Sequence, residues 1–123
     1  MIIPDTSIWI DHLRRSEERL IELLSGEQVL MHPFVTGEIA LGSIARRSAV
    51  IEVLESLPQA PVAAHGEAMA LIERERLHGL GVGYVDVHLL ASARLAGASL
   101  WSRDQRLWSA AEKLGLAARF DPG

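Results

Sequence analysis

The chain has 123 residues, 49% of them hydrophobic and 23% charged, with a formal net charge of −4. That balance excludes a disordered segment and suits one domain with a real core. With no cysteine, disulfides and thiolate metal sites are excluded, so any bound metal must use oxygen or imidazole ligands.

No eighteen apolar residues stand together, and no basic segment runs into a long apolar one. A soluble, cytoplasmic protein with no membrane partner is therefore expected. The negative charge weighs against nucleic acid. Against that, 11 of the 12 basic residues are arginines and only Lys113 is a lysine, and arginine is the better bidentate partner for phosphate.

Taken in order, Ile2-Ile3-Pro4 reads as a short buried strand running into Asp5, with Thr6 or Ser7 capping a helix over 7–14. Ser16 is the expected cap of a second helix, with Leu20, Leu23 and Leu24 inward and an end at Gly26. A strand over 28–31 follows, ended by His32-Pro33. The next helix is expected over 34–45, where Phe34, Leu41 and Ala45 share a stripe and place Glu38 on that apolar face. A carboxylate there is costly unless paired or bound to a cation. A helix over 48–57 turns Ile51, Leu54 and Leu57 inward, and 60–63 reads as a brief strand.

The segment 66–78 alternates apolar and charged residues at helical spacing, with Met69, Ile72 and Leu77 inward. Gly79, Gly81 and Gly83 then break it as a tightly turning connector, since no strand precedes them to make a dinucleotide loop. Residues 84–96 form the strongest expected helix, with Asp86 in its first turn on or beside the buried face, ending at Gly97. A strand over 98–101 leads into Ser102-Arg103-Asp104 and a helix to about Leu114. Gly115 ends that helix, and 117–120 is a last candidate strand. Helices alternating with short apolar strands predict an α/β fold, a parallel sheet with helices on both faces.

Each acid singled out has a plain explanation alone: Asp5 a turn residue, Asp104 a cap, Glu38 a paired acid, Asp86 a complement to the helix dipole. Together they differ. Asp5 and Asp104 each follow an expected parallel strand and so fall at the carboxyl edge of the sheet, where open α/β sheets bind ligands. Asp86 opens the helix that leads into the second of those strands. Four converging carboxylates repel one another unless a hard cation joins them, and Mg²⁺ or Mn²⁺ suits such oxygen ligands. Thr6 and Ser7 are candidate supporting hydroxyls for a water or a phosphate oxygen.

The runs Asp5-Thr6-Ser7-Ile8-Trp9-Ile10, His32-Pro33-Phe34-Val35 leading to Glu38, Tyr84-Val85-Asp86-Val87-His88-Leu89-Leu90-Ala91 and Leu100-Trp101-Ser102-Arg103-Asp104 together resemble the PIN-domain ribonucleases. Within them the chain looks most like the VapC toxins of bacterial toxin–antitoxin pairs, across nearly its whole length. The resemblance implies one PIN domain over 1–123, a Rossmann-like three-layer α/β/α sandwich with a short central parallel sheet. It implies a Mg²⁺- or Mn²⁺-dependent endoribonuclease toxin that cleaves RNA, often transfer RNA, by metal-activated water. Asp5, Glu38, Asp86 and Asp104 would be its metal-binding and catalytic acids. It also implies a homodimer, a higher-order toxin–antitoxin complex, and inhibition by an antitoxin laid across the active site. Pro4 departs from the family's aliphatic residue and removes a ladder donor, so the first strand is expected to end or bulge early.

The alternative outside enzymes is a PIN-fold module that binds RNA or protein without catalysis. A phospho-aspartate phosphatase would want an acid at position 7, which is Ser7. His88 lies roughly 200° around a helix from Asp86, so it is expected to face a neighbouring helix or dimer partner rather than share a metal. Ile8, Trp9, Ile10 and Leu13, with Leu20, Ile21, Leu23 and Leu24, exceed what one buried face requires and predict an apolar partner groove. Arg14, Arg15, Arg46, Arg47, Arg103 and Arg106 are candidates for contact with an RNA backbone.

Overall fold

The computed structural model describes residues 1–120. Its elements are β1 (Ile2–Pro4), α1 (Thr6–Arg14), α2 (Glu18–Ser25), α3 (Pro33–Ala40), α4 (Arg47–Ser56), α5 (His65–Glu75), α6 (Tyr84–Ala96), β2 (Ser99–Trp101) and α7 (Gln105–Lys113). β1 and β2 pair in parallel, Ile3 opposite Leu100. Three further segments join them through single parallel bridges: Ile2 with Val29, Met31 with Gln59, and Leu100 with Ala117. Numbered along the chain, the five lie side by side in the order 3-2-1-4-5. From β1 the chain builds outward to one side and then returns to build on the other. β1 and β2 therefore flank the point where strand order reverses, and the crevice beyond their carboxyl ends is where such a sheet offers a site.

The expected strands over 28–31 and 117–120 shrink to single bridges, the one over 60–63 gives way to a bridge just before it at Gln59, and Pro4 accounts for the first of these. Ile2 donates to the Gln28 carbonyl at 2.8 Å and accepts from the Leu30 N–H at 2.8 Å. In a parallel ladder the next donor on that side is the nitrogen of residue 4, and proline has no N–H to give. Pairing stops there. The other edge of β1 is untouched: Pro4 is in register with Trp101, and the Asp5 N–H donates to the Trp101 carbonyl at 2.9 Å. The early strand end therefore leaves Asp5 anchored.

Ile3, Ile8, Leu20, Met31, Ile39, Leu89, Leu90 and Leu100 are fully or almost fully buried and form the centre of the core. The helices differ from expectation in register. α3 has only 8 residues and turns Val35, Thr36 and Ile39 inward, while Leu41 is 90% exposed. Leu41 and Gly42 turn the chain out of the helix, so it stops before the proposed stripe can form. Glu38 accordingly sits on the exposed side of α3 and not on its apolar face. In α5 the buried residues are Ala68 and Leu71, with Met69 42% exposed, a slip of one position. α2 starts one residue beyond Glu17 and not at Ser16, because the Glu17 N–H is taken by His12 Nδ1 at 3.0 Å.

Candidate active site at the carboxyl edge of the sheet

Asp5 is nine-tenths or more buried, directly after β1. It caps α1 itself, a role expected of Thr6 or Ser7: its Oδ1 accepts from the Ile8 N–H at 3.3 Å. The same oxygen accepts from Ser7 Oγ at 2.5 Å, and Oδ2 accepts from Ser102 Oγ at 2.5 Å. Burial raises its proton affinity, and these hydrogen bonds oppose the rise. Asp104 follows β2 and caps α7 in the same way, with Oδ1 accepting from the Arg106 and Leu107 N–H groups at 2.9 and 3.1 Å. Two acids at two strand ends thus each begin a helix, because a carboxylate satisfies N–H groups that the first turn leaves free.

Asp86 enters from the start of α6, where its Oδ2 accepts from the Gly83 N–H at 3.0 Å. Its proton affinity is raised, first by burial and then by the charges of Asp104, Asp5 and Glu38. The only lowering influence is the Gly83 hydrogen bond. Glu38 comes from the exposed side of α3 and accepts from Thr6 Oγ1 at 2.6 Å. The four acids expected from the sequence are therefore drawn to one crevice by four different parts of the chain. Among the described residues, no arginine, lysine or histidine lies within ion-pair distance of any of them.

The supporting hydroxyls face the acids. Thr6 donates to Glu38 and Ser7 to Asp5, while Ser7 Oγ also accepts from the Arg103 N–H at 3.1 Å. Ser102 went unrecognised in the sequence reading. Its Oγ joins the two strand ends, donating to Asp5 and accepting from the Asp104 N–H at 2.9 Å. The only signal for it was its place between Trp101 and Asp104 in the run after β2.

Carboxylates with no basic partner are the donor set that a hard divalent cation takes. Among the described residues no three or more acids or histidines stand close enough together, as placed, to hold a metal ion.

His32 ties together the elements that carry two of these acids. It caps α3 through Nδ1, which accepts from the Phe34 N–H at 3.0 Å, so its other nitrogen, Nε2, carries the proton and donates to Ser92 Oγ of α6 at 3.0 Å. Phe34 packs edge-on against both His32 and His88, with ring centroids 5.0 and 4.9 Å apart. His88 thus faces α3, as its position on α6 suggested.

A family model described as PIN domain matches residues 2–113. The chain belongs to the PIN-domain family. Proteins named Ribonuclease VapC32 from two strains of Mycobacterium tuberculosis are 48% identical to it over 118 residues, covering 95% of both partners in each comparison. A PIN chain of VapC type is thus what the four runs of motif residues had pointed to.

Proposed function

We propose that this PIN chain is an endoribonuclease of the VapC type, the toxin of a toxin–antitoxin pair, with residues 1–123 acting as one domain. The observation that carries the reading is the convergence of Asp5, Glu38, Asp86 and Asp104 with no cationic side chain to neutralise them. Their charge calls for a metal, and these four would hold Mg²⁺ or Mn²⁺. When bound, such an ion supplies Lewis acidity and makes water acidic enough to attack a phosphodiester near neutral pH.

The chain's own residues supply orientation. Ser7, Ser102 and the Ile8 N–H hold both oxygens of Asp5 in one direction. The Gly83 N–H and the α7 N–H groups do the same for Asp86 and Asp104. Thr6 holds Glu38 at the rim. Without metal, burial raises the proton affinity of Asp5 and Asp86; a bound cation would oppose that rise and keep both as carboxylates.

RNA is the substrate, with transfer RNA the first class to try. An antitoxin is the partner, and an apolar groove of about 320 Å³ between α1, α2 and α4 supports its docking. Trp9, Leu13, Leu24, Val50 and Val53 line that groove, and α4 supplies much of it. Ile21 is exposed away from it and Leu20 is buried in the core. A homodimer is the expected assembly, with Met69 of α5 and Leu95 of α6 among the exposed apolar residues available to it.

The test incubates antitoxin-free protein with total RNA and then with transfer RNA, with Mg²⁺ or Mn²⁺ and with chelator, beside Asp86→Asn. Discrete cuts with 5′-phosphate ends, abolished by chelator and lowered at least 100-fold in the variant, are expected. Cuts that survive chelation, or that leave cyclic phosphates, would overturn the four-acid mechanism. No cutting while metal still binds would mean that the right RNA is missing; neither cutting nor metal binding would favour the non-catalytic binding module.

A further inference from the structure

We propose that Arg106 binds a phosphate of the RNA at the edge of the carboxylate site, and that Gly81 is the backbone feature that holds its guanidinium in place. The inference rests on the ribonuclease reading and names one of its substrate contacts.

Two arginines stand close to the acids in the chain segment after β2, and the structure gives them different work. Arg103 is fully engaged: its guanidinium bridges Asp11 at 2.6 Å and Glu17 at 2.5 Å, joining the end of α1 to the start of α2. It is a part-exposed strut whose two terminal nitrogens are each already paired with a carboxylate. Arg106 has no such partner. Among the described residues no carboxylate lies within ion-pair range of it, and only its backbone N–H is bonded, to Asp104 Oδ1 at 2.9 Å.

The Arg106 side chain is nevertheless placed. It crosses from the first turn of α7 to the connector before α6 and lies on the backbone of Gly81. A Cβ at that position would stand 2.6 Å from Arg106 Cδ and 3.0 Å from Nε and Nη1. Gly81 also has φ of +81°, a conformation that side chains disfavour. Two residues later Gly83 donates to Asp86. The guanidinium is thus laid against the loop that delivers Asp86, while its own helix starts at Asp104.

Its charge is not absorbed by the acids beside it, since Asp86 has no cation among the influences on it. An exposed guanidinium with free donors matches two oxygens of one phosphate. In a chain of net charge −4, a polyanion approaching four carboxylates needs such a local cation. The spacing gives glycine a role at position 81: a Cβ there would displace the guanidinium from this place.

The experiment measures RNA binding over a salt series in the Asp86→Asn background and cleavage kinetics in the active protein. Arg106→Ala, Arg106→Lys, Gly81→Ala and Arg103→Ala are compared, each checked by thermal melting. Arg106→Ala is expected to raise KM and Kd about 10-fold with kcat changed less than about 2-fold, the split expected when uniform binding is lost. The slope of log K against log salt should fall by about 0.7, the loss of one single-strand phosphate contact. Arg106→Lys should restore the salt slope and only part of the affinity. Gly81→Ala should weaken binding in the same direction with the charge still present. Arg103→Ala should lower the melting temperature and leave the slope alone. Unchanged affinity and slope in Arg106→Ala, while wild type binds and cuts RNA, would overturn the proposal alone. A wild type that neither binds nor cuts RNA would overturn the ribonuclease reading with it.

Discussion

Asp5 serves two structures at once. Its carboxylate starts α1 by taking the Ile8 N–H, and it faces the crevice between β1 and β2 with both oxygens fixed by serines. Ser102 is therefore a positioning residue for the site. Ser102→Ala should remove two hydrogen bonds and lower melting stability by about 2 kcal/mol, while RNA cleavage falls roughly 10-fold by loss of orientation. Thermal melting and cleavage rates measured together check this, and Ser102→Thr should recover part of the activity. The acids at 5, 86 and 104 were legible in the sequence because each abuts a strand or helix boundary, a local signal. Ser102 was not, since a serine beside a strand end looks the same whether or not a carboxylate 97 residues away accepts from it.

At the scale of elements, α3 shows that Glu38 comes to the crevice from an exposed side and not from the apolar face expected of it. The periodicity of Phe34, Leu41 and Ala45 suggested a long helix, but Gly37 and Gly42 are poor helix residues and the helix ends at Ala40. Glu38 reaches the site because α1 packs on α3 and Thr6 meets it there. α3 packs chiefly on α1 and α4, and α6 on α5 and β2, so the His32–Ser92 bond is a main tie between α3 and α6.

Burial pushes His32 down to about 4, with a smaller contribution from His88. A depressed histidine is neutral in the fold and takes a proton more readily when unfolded. Its stabilisation is thus present above pH 6.5, is lost as pH falls from 6.5 towards about 4, and amounts to on the order of 3 kcal/mol. Protonation would also put a hydrogen on Nδ1, where the Phe34 N–H now donates. Melting followed from pH 7.5 to 4.5 should show this loss, and His32→Gln should flatten the dependence while being less stable at pH 7.5.

For the whole molecule, the carboxylate cluster and the histidine tie pull against each other with pH. Asp5 and Asp86 have raised proton affinity in the fold, so their ionisation costs stability as pH rises through their folded values, and that cost is absent below the ordinary carboxylate range. A divalent cation should offset it only where the acids are charged. Mg²⁺ or Mn²⁺ at about 100 times its Kd is expected to stabilise the protein by about 2.7 kcal/mol at pH 7.5, much less at pH 4.5, and hardly at all in Asp86→Asn. Melting curves with and without metal at both pH values decide it. An equal shift at both pH values would place the ion elsewhere.

The sequence by itself determined the alternation of strands and helices, the parallel sheet and the four acids. Apolar runs, capping residues and glycine ends are written locally, and Asp5 and Asp104 stand where a strand gives way to a helix. Tertiary structure alone decided how those acids are held. It set the side of α3 that Glu38 occupies and the bond from Ser102 to Asp5. It engaged Arg103 and left Arg106 free, and it left single bridges in place of three expected strands. Each of these depends on partners far apart in the chain, and hydrogen bonds and close contacts of that kind leave no period or spacing for a sequence to show.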